Sequence, residues 1–303
     1  MGKIYNGIMG LVVGDALGVP FEFHKRDSFL CRRITGHGTY NQKPGTWSDD
    51  SSMTLATLHS ISLLETVEPM DIMERFSMWL FNKEYTPCGE VFDVGGCTRR
   101  AIARYCKGHD PLHCGGKTRM DNGNGALMRI LPIAMMKDKG DKETVIRDVA
   151  HLTHAHFISD FACFVYSAIV ENLMDGADKE KAVQLAVQRY QNQIESVSML
   201  GEYRRLSKIH ELKRDEIKSS GYVVDTLEAA IWCFATTNSY KECVLTAVNL
   251  GEDTDTVAAI AGGLAGIYYG CGGKTGIPET WINQICRRDW IKEVCNAVEA
   301  LDF

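Results

Sequence analysis

Two acidic clusters, Trp47-Ser48-Asp49-Asp50-Ser51-Ser52 and Gly251-Glu252-Asp253-Thr254-Asp255-Thr256, hold the chemistry most legible in this chain. Each crowds carboxylates and hydroxyls together, and each precedes an apolar, small-residue run with helical spacing. Oxygen-only donor sets suit hard divalent cations such as Mg²⁺ or Mn²⁺ rather than zinc. Adjacent residues on a helix point about 100° apart, so Asp49 and Asp50 can reach one ion pair only at a helix end. Ser48 is a natural N-cap for a helix continuing from Ser51 to Leu64. Asp253 and Asp255 share no helix face; they converge only by wrapping from a loop into a first turn, where Thr256 adds a hydroxyl. A third acid, Glu22, follows Pro20 in the turn after Gly14-Asp15-Ala16-Leu17-Gly18. If Glu22, Asp49, Asp50, Asp253 and Asp255 meet, five negative charges share one pocket, and two divalent cations would offset four of them. The competing explanation is a set of separate helix caps. Asp15 is either a supporting acid or a packing one.

Helices must do the positioning. Apolar residues recur at spacings of three and four along Ile4, Ile8, Leu11, Val12 and Ala16, and again from Met53 to Leu64. The pattern continues through Phe161 to Leu173, Ala182 to Tyr190, Thr226 to Phe234 and Val257 to Tyr268. Alternating strand-like runs are nearly absent. The expected fold class is all-α, with a dozen or so helices in a single compact orthogonal domain, residues 1–303, around a central dinuclear metal site. Breaks fall at 36–45, 86–96, 108–125, 137–141 and 271–278, rich in Gly, Pro, Asn or Asp. Small residues crowd two helices: Gly14, Ala16 and Gly18 in one, Ala258 to Gly266 in the other. Such helices pack closely and bring their ends to one place.

Composition narrows the partners. The 303 residues carry a net charge of −6 and no long basic stretch, so nucleic acid is not an expected partner. The most basic segment, Tyr203 to Lys218, alternates with acids and reads as a solvated helix face. Eleven cysteines, an odd number without a CxxC pair, fit a reducing, cytoplasmic setting. Cys163, Cys233 and Cys243 sit in apolar contexts as small hydrophobes. No run of eighteen apolar residues suggests a membrane span. A monomer is the default expectation.

The ordered segments Gly14-Asp15-Ala16-Leu17-Gly18 with Glu22, Gly45-Thr46-Trp47-Ser48-Asp49-Asp50-Ser51, Phe92-Asp93-Val94-Gly95, Gly123-Asn124-Gly125-Ala126-Leu127-Met128-Arg129, Thr153-His154 and Asp253-Thr254-Asp255-Thr256 resemble the ADP-ribosylglycohydrolase family. The resemblance runs from residue 8 to about 270. It implies an all-α fold with two Mg²⁺ or Mn²⁺ ions and hydrolysis of the bond at C1″ of ADP-ribose. The implied metal ligands are Glu22, Ser48, Asp49, Asp50, Asp253, Asp255 and Thr256. Family members often carry Thr at the position of Ser48, which keeps the hydroxyl. Many carry Gly where Glu252 stands.

Gly123 to Gly125 precede an expected helix from Ala126 to Met136, where a helix start would favour a diphosphate. Asn122 and Asn124 can bond ribose hydroxyls; a plain tight turn is the alternative. Gly95, Gly96 and Thr98 form a similar entrance before Arg99 to Tyr105. The resemblance sets His154 at the ADP-ribose edge, bonding phosphate or ribose. The triplet His151, His154 and His156 matches no common zinc spacing. Cys106 to Cys114 reads as an exposed loop. Tyr222 and Trp232 either line an adenine pocket or belong to the core.

The expected substrate is an ADP-ribosylated protein side chain, arginine or serine, or a small ADP-ribose ester. Glu22, Asp49 and Asp50 are the candidate catalytic carboxylates for an oxocarbenium-like transition state. Two rivals differ in product. A non-catalytic ADP-ribose-binding or crystallin-like protein releases nothing; a Mg²⁺-dependent nucleotide pyrophosphatase releases AMP.

Overall fold

The computed structural model describes residues 2–137, 140–198 and 201–301, and among them the regular structure is helical throughout. The α-helices are α1 (Lys3–Gly18), α2 (Asp49–Leu64), α3 (Pro69–Asn82), α4 (Gly96–Tyr105), α5 (Leu131–Met135), α6 (Lys142–His151), α7 (Phe157–Met174), α8 (Lys179–Arg189), α9 (Gln191–Ser198), α10 (Val223–Thr236), α11 (Tyr240–Val248), α12 (Thr254–Tyr269), α13 (Glu279–Ile282) and α14 (Arg288–Glu299). Only isolated β-bridges join the loops between them. One contiguous apolar core runs from Tyr5 to Val298.

At its centre α1 and α12 lie antiparallel, backbone against backbone. A Cβ added at Gly10 would stand 2.3 Å from the Gly262 carbonyl oxygen, and one at Gly14 would stand 2.1 Å from that of Ala258. At the far end a Cβ on Gly18 would lie 2.3 Å from the Asp255 Cα, and the Thr254 hydroxyl donates to the Gly18 carbonyl at 2.8 Å. The small-residue stripes therefore exist for contact. They bring the C-terminal end of α1 to the N-terminal end of α12.

Two helical stretches, Lys3–Phe21 and Phe157–Met174, are long and apolar enough by length and composition to cross a membrane, though neither is an unbroken apolar run. Their windows are 83% and 78% buried within the fold, which identifies both as core helices. The cysteines are all free, and Cys163, Cys233 and Cys243 are fully buried.

Three local expectations need correction. Ala126 to Met136 is not one helix but a 3₁₀ turn, Leu127–Arg129, followed by the short α5. Pro132 has no N–H to offer the Met128 carbonyl, which accepts from the Thr54 hydroxyl instead. Tyr203 to Lys218 is not a solvated helix. It forms 3₁₀ turns at Leu206–Glu211 and Arg214–Glu216, with Tyr203, Leu206, Ile209 and Ile217 buried. Arg26 reaches in from another segment and donates to the carbonyls of Leu250, Arg214 and Ile217. In the 106–114 loop, Cys114 is buried rather than exposed.

Candidate metal and substrate site

Each acid is delivered by a helix end or a strained loop. Ser48 caps α2, its Oγ accepting from the Asp50 N–H, so Asp49 and Asp50 stand in the first turn, where carboxylates are favoured. Asp15 stands behind them on α1. Its carboxylate accepts from the N–H groups of Ser48 and Ser51 and from the Ser51 hydroxyl at 2.5 Å. That settles its role: it ties α1 to the start of α2. Asp253 occupies the N-cap position of α12, and Asp255 lies within its first turn. Glu22 follows the 3₁₀ turn Val19–Phe21.

A double backbone bridge joins the two loops. The Phe23 N–H donates to the Glu252 carbonyl at 2.7 Å, and the Glu252 N–H to the His24 carbonyl at 2.8 Å. Phe23 and Glu252 both take left-handed conformations, φ 65° and 63°. The Glu252 side chain is exposed. Its backbone, not its charge, is what the site uses, and such a backbone suits glycine.

These constraints gather the acids. Oxygens of Glu22, Asp253 and Asp255 lie within 4.8 Å of one another. Asp50 Oδ2 links α2 to α12 by accepting from the hydroxyls of Ser48 at 3.0 Å and Thr256 at 3.2 Å. Four buried carboxylate oxygens, Glu22 Oε2, Asp50 Oδ1, Asp253 Oδ1 and Asp255 Oδ2, have no hydrogen-bond partner. Buried polar atoms are ordinarily satisfied, so four orphaned acceptors in one place leave lone pairs that a cation could take. The donor set is entirely oxygen, and it fits divalent cations such as Mg²⁺ or Mn²⁺.

The electrostatics agree. Burial raises Glu22 to about 9, with the charge of Asp93 adding to it. Burial also pushes Asp49 and Asp50 well above the carboxylate range, helped in Asp49 by Asp93 and in Asp50 by Asp15. Asp255 is pushed up by burial and by Glu22. Asp253 is raised by burial, against the opposing pull of a hydrogen bond from Asn124.

Asp93 is the residue that helix-based reasoning missed. It adjoins Glu22, Asp49, Asp50, Asp253 and Asp255 electrostatically, yet it sits in a loop, with φ 53°. The signal was a lone acid before glycines in Phe92-Asp93-Val94-Gly95-Gly96, outside any helix end.

The second half of the site is a small-residue platform. Residues 122–125 pair with 221–223: the Asn124 N–H donates to the Gly221 carbonyl and the Val223 N–H to the Asn122 carbonyl. Asn124 Nδ2 donates to Asp253 Oδ2 at 2.8 Å, joining platform to acids. A Cβ at Gly125 would meet His154 Cε1 at 2.7 Å and Thr98 Oγ1 at 3.1 Å, so only glycine allows this closeness. Thr98 is buried near the start of α4, and Gly95 lies just before that helix. Asn122 is buried, donating to the Arg119 carbonyl and accepting from the Ser159 hydroxyl. Its amide thus orders the loop. The three histidines serve separately: His151 bonds Asp160, His154 bonds Thr153 and His156 caps α7. Trp232 belongs to the core, its indole N–H donating to the Leu212 carbonyl at 2.9 Å; Tyr222 is half-buried beside Gly123.

Comparison with known proteins points the same way. A family model described as ADP-ribosylglycohydrolase matches residues 1–302. The chain is 33% identical to the ADP-ribosyl-[dinitrogen reductase] glycohydrolase of Rhodospirillum rubrum, over 93% of this chain and 90% of that one. It is 32% identical to the ADP-ribosylarginine hydrolase Tri1 of Serratia proteamaculans, over 96% and 77%. The ADP-ribosylhydrolase ARH3 of Mus musculus is 24% identical over 90% and 85%. A solved structure titled ADP-ribosylglycohydrolase-related protein complex superposes with a TM-score of 0.81 at 30% identity, covering 99% of this chain and 98% of that one.

Proposed function

Since the chain belongs to the ADP-ribosylglycohydrolase family, we propose that it hydrolyses the C1″ glycosidic bond of ADP-ribosylated arginine in a reaction dependent on Mg²⁺ or Mn²⁺. The observation that carries the metal dependence is the set of four orphaned carboxylate oxygens on Glu22, Asp50, Asp253 and Asp255. Arginine is the proposed acceptor because a relative named ADP-ribosylarginine hydrolase is 32% identical over 96% of this chain.

Glu22, Ser48, Asp49, Asp50, Asp253, Asp255 and Thr256 would hold two cations. Bound there, the ions supply Lewis-acid charge that orders ribose hydroxyls and makes water a better nucleophile. The chain's own groups do the rest. The platform of Asn122 to Gly125, with Gly95, Thr98 and His154, cradles the diphosphate and ribose. Asn124 fixes the distance from that cradle to Asp253. The carboxylates stabilise positive charge as the C1″–N bond lengthens. Glu22, Asp49 or Asp50 guides the proton of the attacking water, and Asp93 is a further candidate for that role.

The test is chromatographic. ADP-ribosyl-arginine and ADP-ribosyl-serine peptides are incubated with the protein in Mg²⁺ or in EDTA. Free ADP-ribose from the arginine peptide, in Mg²⁺ only, is the expected result. Equal turnover in EDTA sinks the metal reading; AMP as product, or preference for the serine peptide, sinks the assigned reaction or acceptor.

A further inference from the structure

Arg129 is fully buried and has no carboxylate partner among the described residues. Its NH2 group donates to the Val149 carbonyl at 3.1 Å and to the Thr153 hydroxyl at 2.7 Å; its carbon Cζ lies 4.8 Å from the centre of the Phe76 ring. A buried guanidinium held this way is costly to keep. The Thr153 hydroxyl lies 2.8 Å from His154 Nδ1.

Arg can only donate. The Thr153 oxygen therefore spends one lone pair on Arg129, and its single proton needs an acceptor. Among the described residues the one acceptor within reach is His154 Nδ1. Were Nδ1 protonated, two N–H groups would converge on that oxygen and the buried O–H would go unused. Nδ1 thus accepts, and the proton of the neutral imidazole lies on Nε2. Burial and the Arg129 charge keep the ring from gaining a second proton, holding it near 3. Nε2 lies 3.6 Å from where a Gly123 Cβ would be and 3.4 Å from a Gly125 Cβ, and it has no partner among the described residues.

We infer that Arg129 and Thr153 are positioning residues that lock His154 in its Nε2–H form, presenting one fixed donor to a ligand oxygen at the Gly123–Gly125 loop. The ligand half rests on the ADP-ribose reading above; the tautomer half does not.

Two measurements test it. Long-range ¹H–¹⁵N spectra of histidine-labelled protein, with His154 assigned by signal loss in His154→Gln, should show pyrrole-type Nε2 and pyridine-type Nδ1, unchanged from pH 5 to 8. An Nδ1–H or doubly protonated ring overturns the inference. Thr153→Val should mix the tautomers and weaken ADP-ribose binding about tenfold by calorimetry, while Thr153→Ser keeps both near wild type. A Val variant with one unmixed tautomer and undiminished affinity also overturns it. Wild-type protein that shows the Nε2–H ring yet ignores ADP-ribose supports the lock and defeats only the functional reading.

Discussion

Replacing Asp255 by Asn should have opposite effects with and without divalent ions. Asp255 is fully buried; Oδ1 accepts from the Thr256 N–H and Oδ2 has no partner. Its neighbours in the Glu22–Asp253–Asp255 cluster lie within 4.8 Å. At an effective dielectric of about 20, each like-charged pair at that distance costs roughly 3.5 kcal/mol. Protonation limits the penalty: starting from 3.8, neutralising the group at pH 7.5 costs about 5 kcal/mol and at pH 5 about 1.6 kcal/mol. Because the folded value is raised, the folded state binds more protons than the unfolded one, and stability falls as pH rises above 3.8. Asn keeps the Thr256 bond and removes the charge. In EDTA at pH 7.5 the variant should gain about 2–4 kcal/mol, or roughly 3–6 °C in thermal midpoint for a chain of this length. At pH 5 the gain should shrink to about 2 °C or less. In saturating Mg²⁺ the order should invert, since the wild type regains its missing partner and the variant does not. Calorimetric scans at both pH values, with and without the ion, decide it. A variant less stable than wild type in EDTA, by the same margin at both pH values, would refute the reasoning.

Other outcomes follow from the same geometry. Asp253→Ala with Asp255→Ala should abolish turnover while far-ultraviolet circular dichroism stays helical. Asp93→Asn should cut kcat by about a hundredfold or more and leave the fold intact, the expectation for a group acting on the reaction; rate assays beside a melting curve separate the two effects. Gly14→Ala forces a Cβ to within 2.1 Å of the Ala258 carbonyl oxygen, and overpacking of this kind should cost at least about 2–3 kcal/mol in denaturant unfolding. Glu252→Gly relieves a left-handed backbone and should raise stability by about 0.5–1 kcal/mol, with activity retained.

Sequence alone exposed the site where local rules coincide with tertiary need. Ser48 caps a helix whose first-turn acids, Asp49 and Asp50, are buried, so capping and the gathering of acids give one pattern. The small residues of α1 and α12 announce a close approach, though not its partner. Legibility failed where a distant residue decided the outcome. The helix from Ala126 did not form as one piece because Pro132, visible locally, denies Met128 its partner; that Thr54 takes up the Met128 carbonyl is what no local window reveals. Tyr203 to Lys218 looked helical by charge alternation, but Arg26 captures its carbonyls and its apolar residues turn inward. Asp93 lies in a loop whose path is set by packing, so its carboxylate carried no periodic signature. Asp15 looked ambiguous because its partners, Ser48 and Ser51, come from another helix.

The Thr254–Gly18 bond spans 236 positions of sequence, and this has a consequence for biosynthesis. A ribosome moving at about 5–20 residues per second releases the first helix roughly 10–50 s before the helix that must cover it. Through that interval the glycine-lined groove of the nascent chain has no mate, and Asp253 and Asp255 are not yet made. The cluster of Glu22 with Asp253 and Asp255 therefore assembles only after most of the chain has been translated.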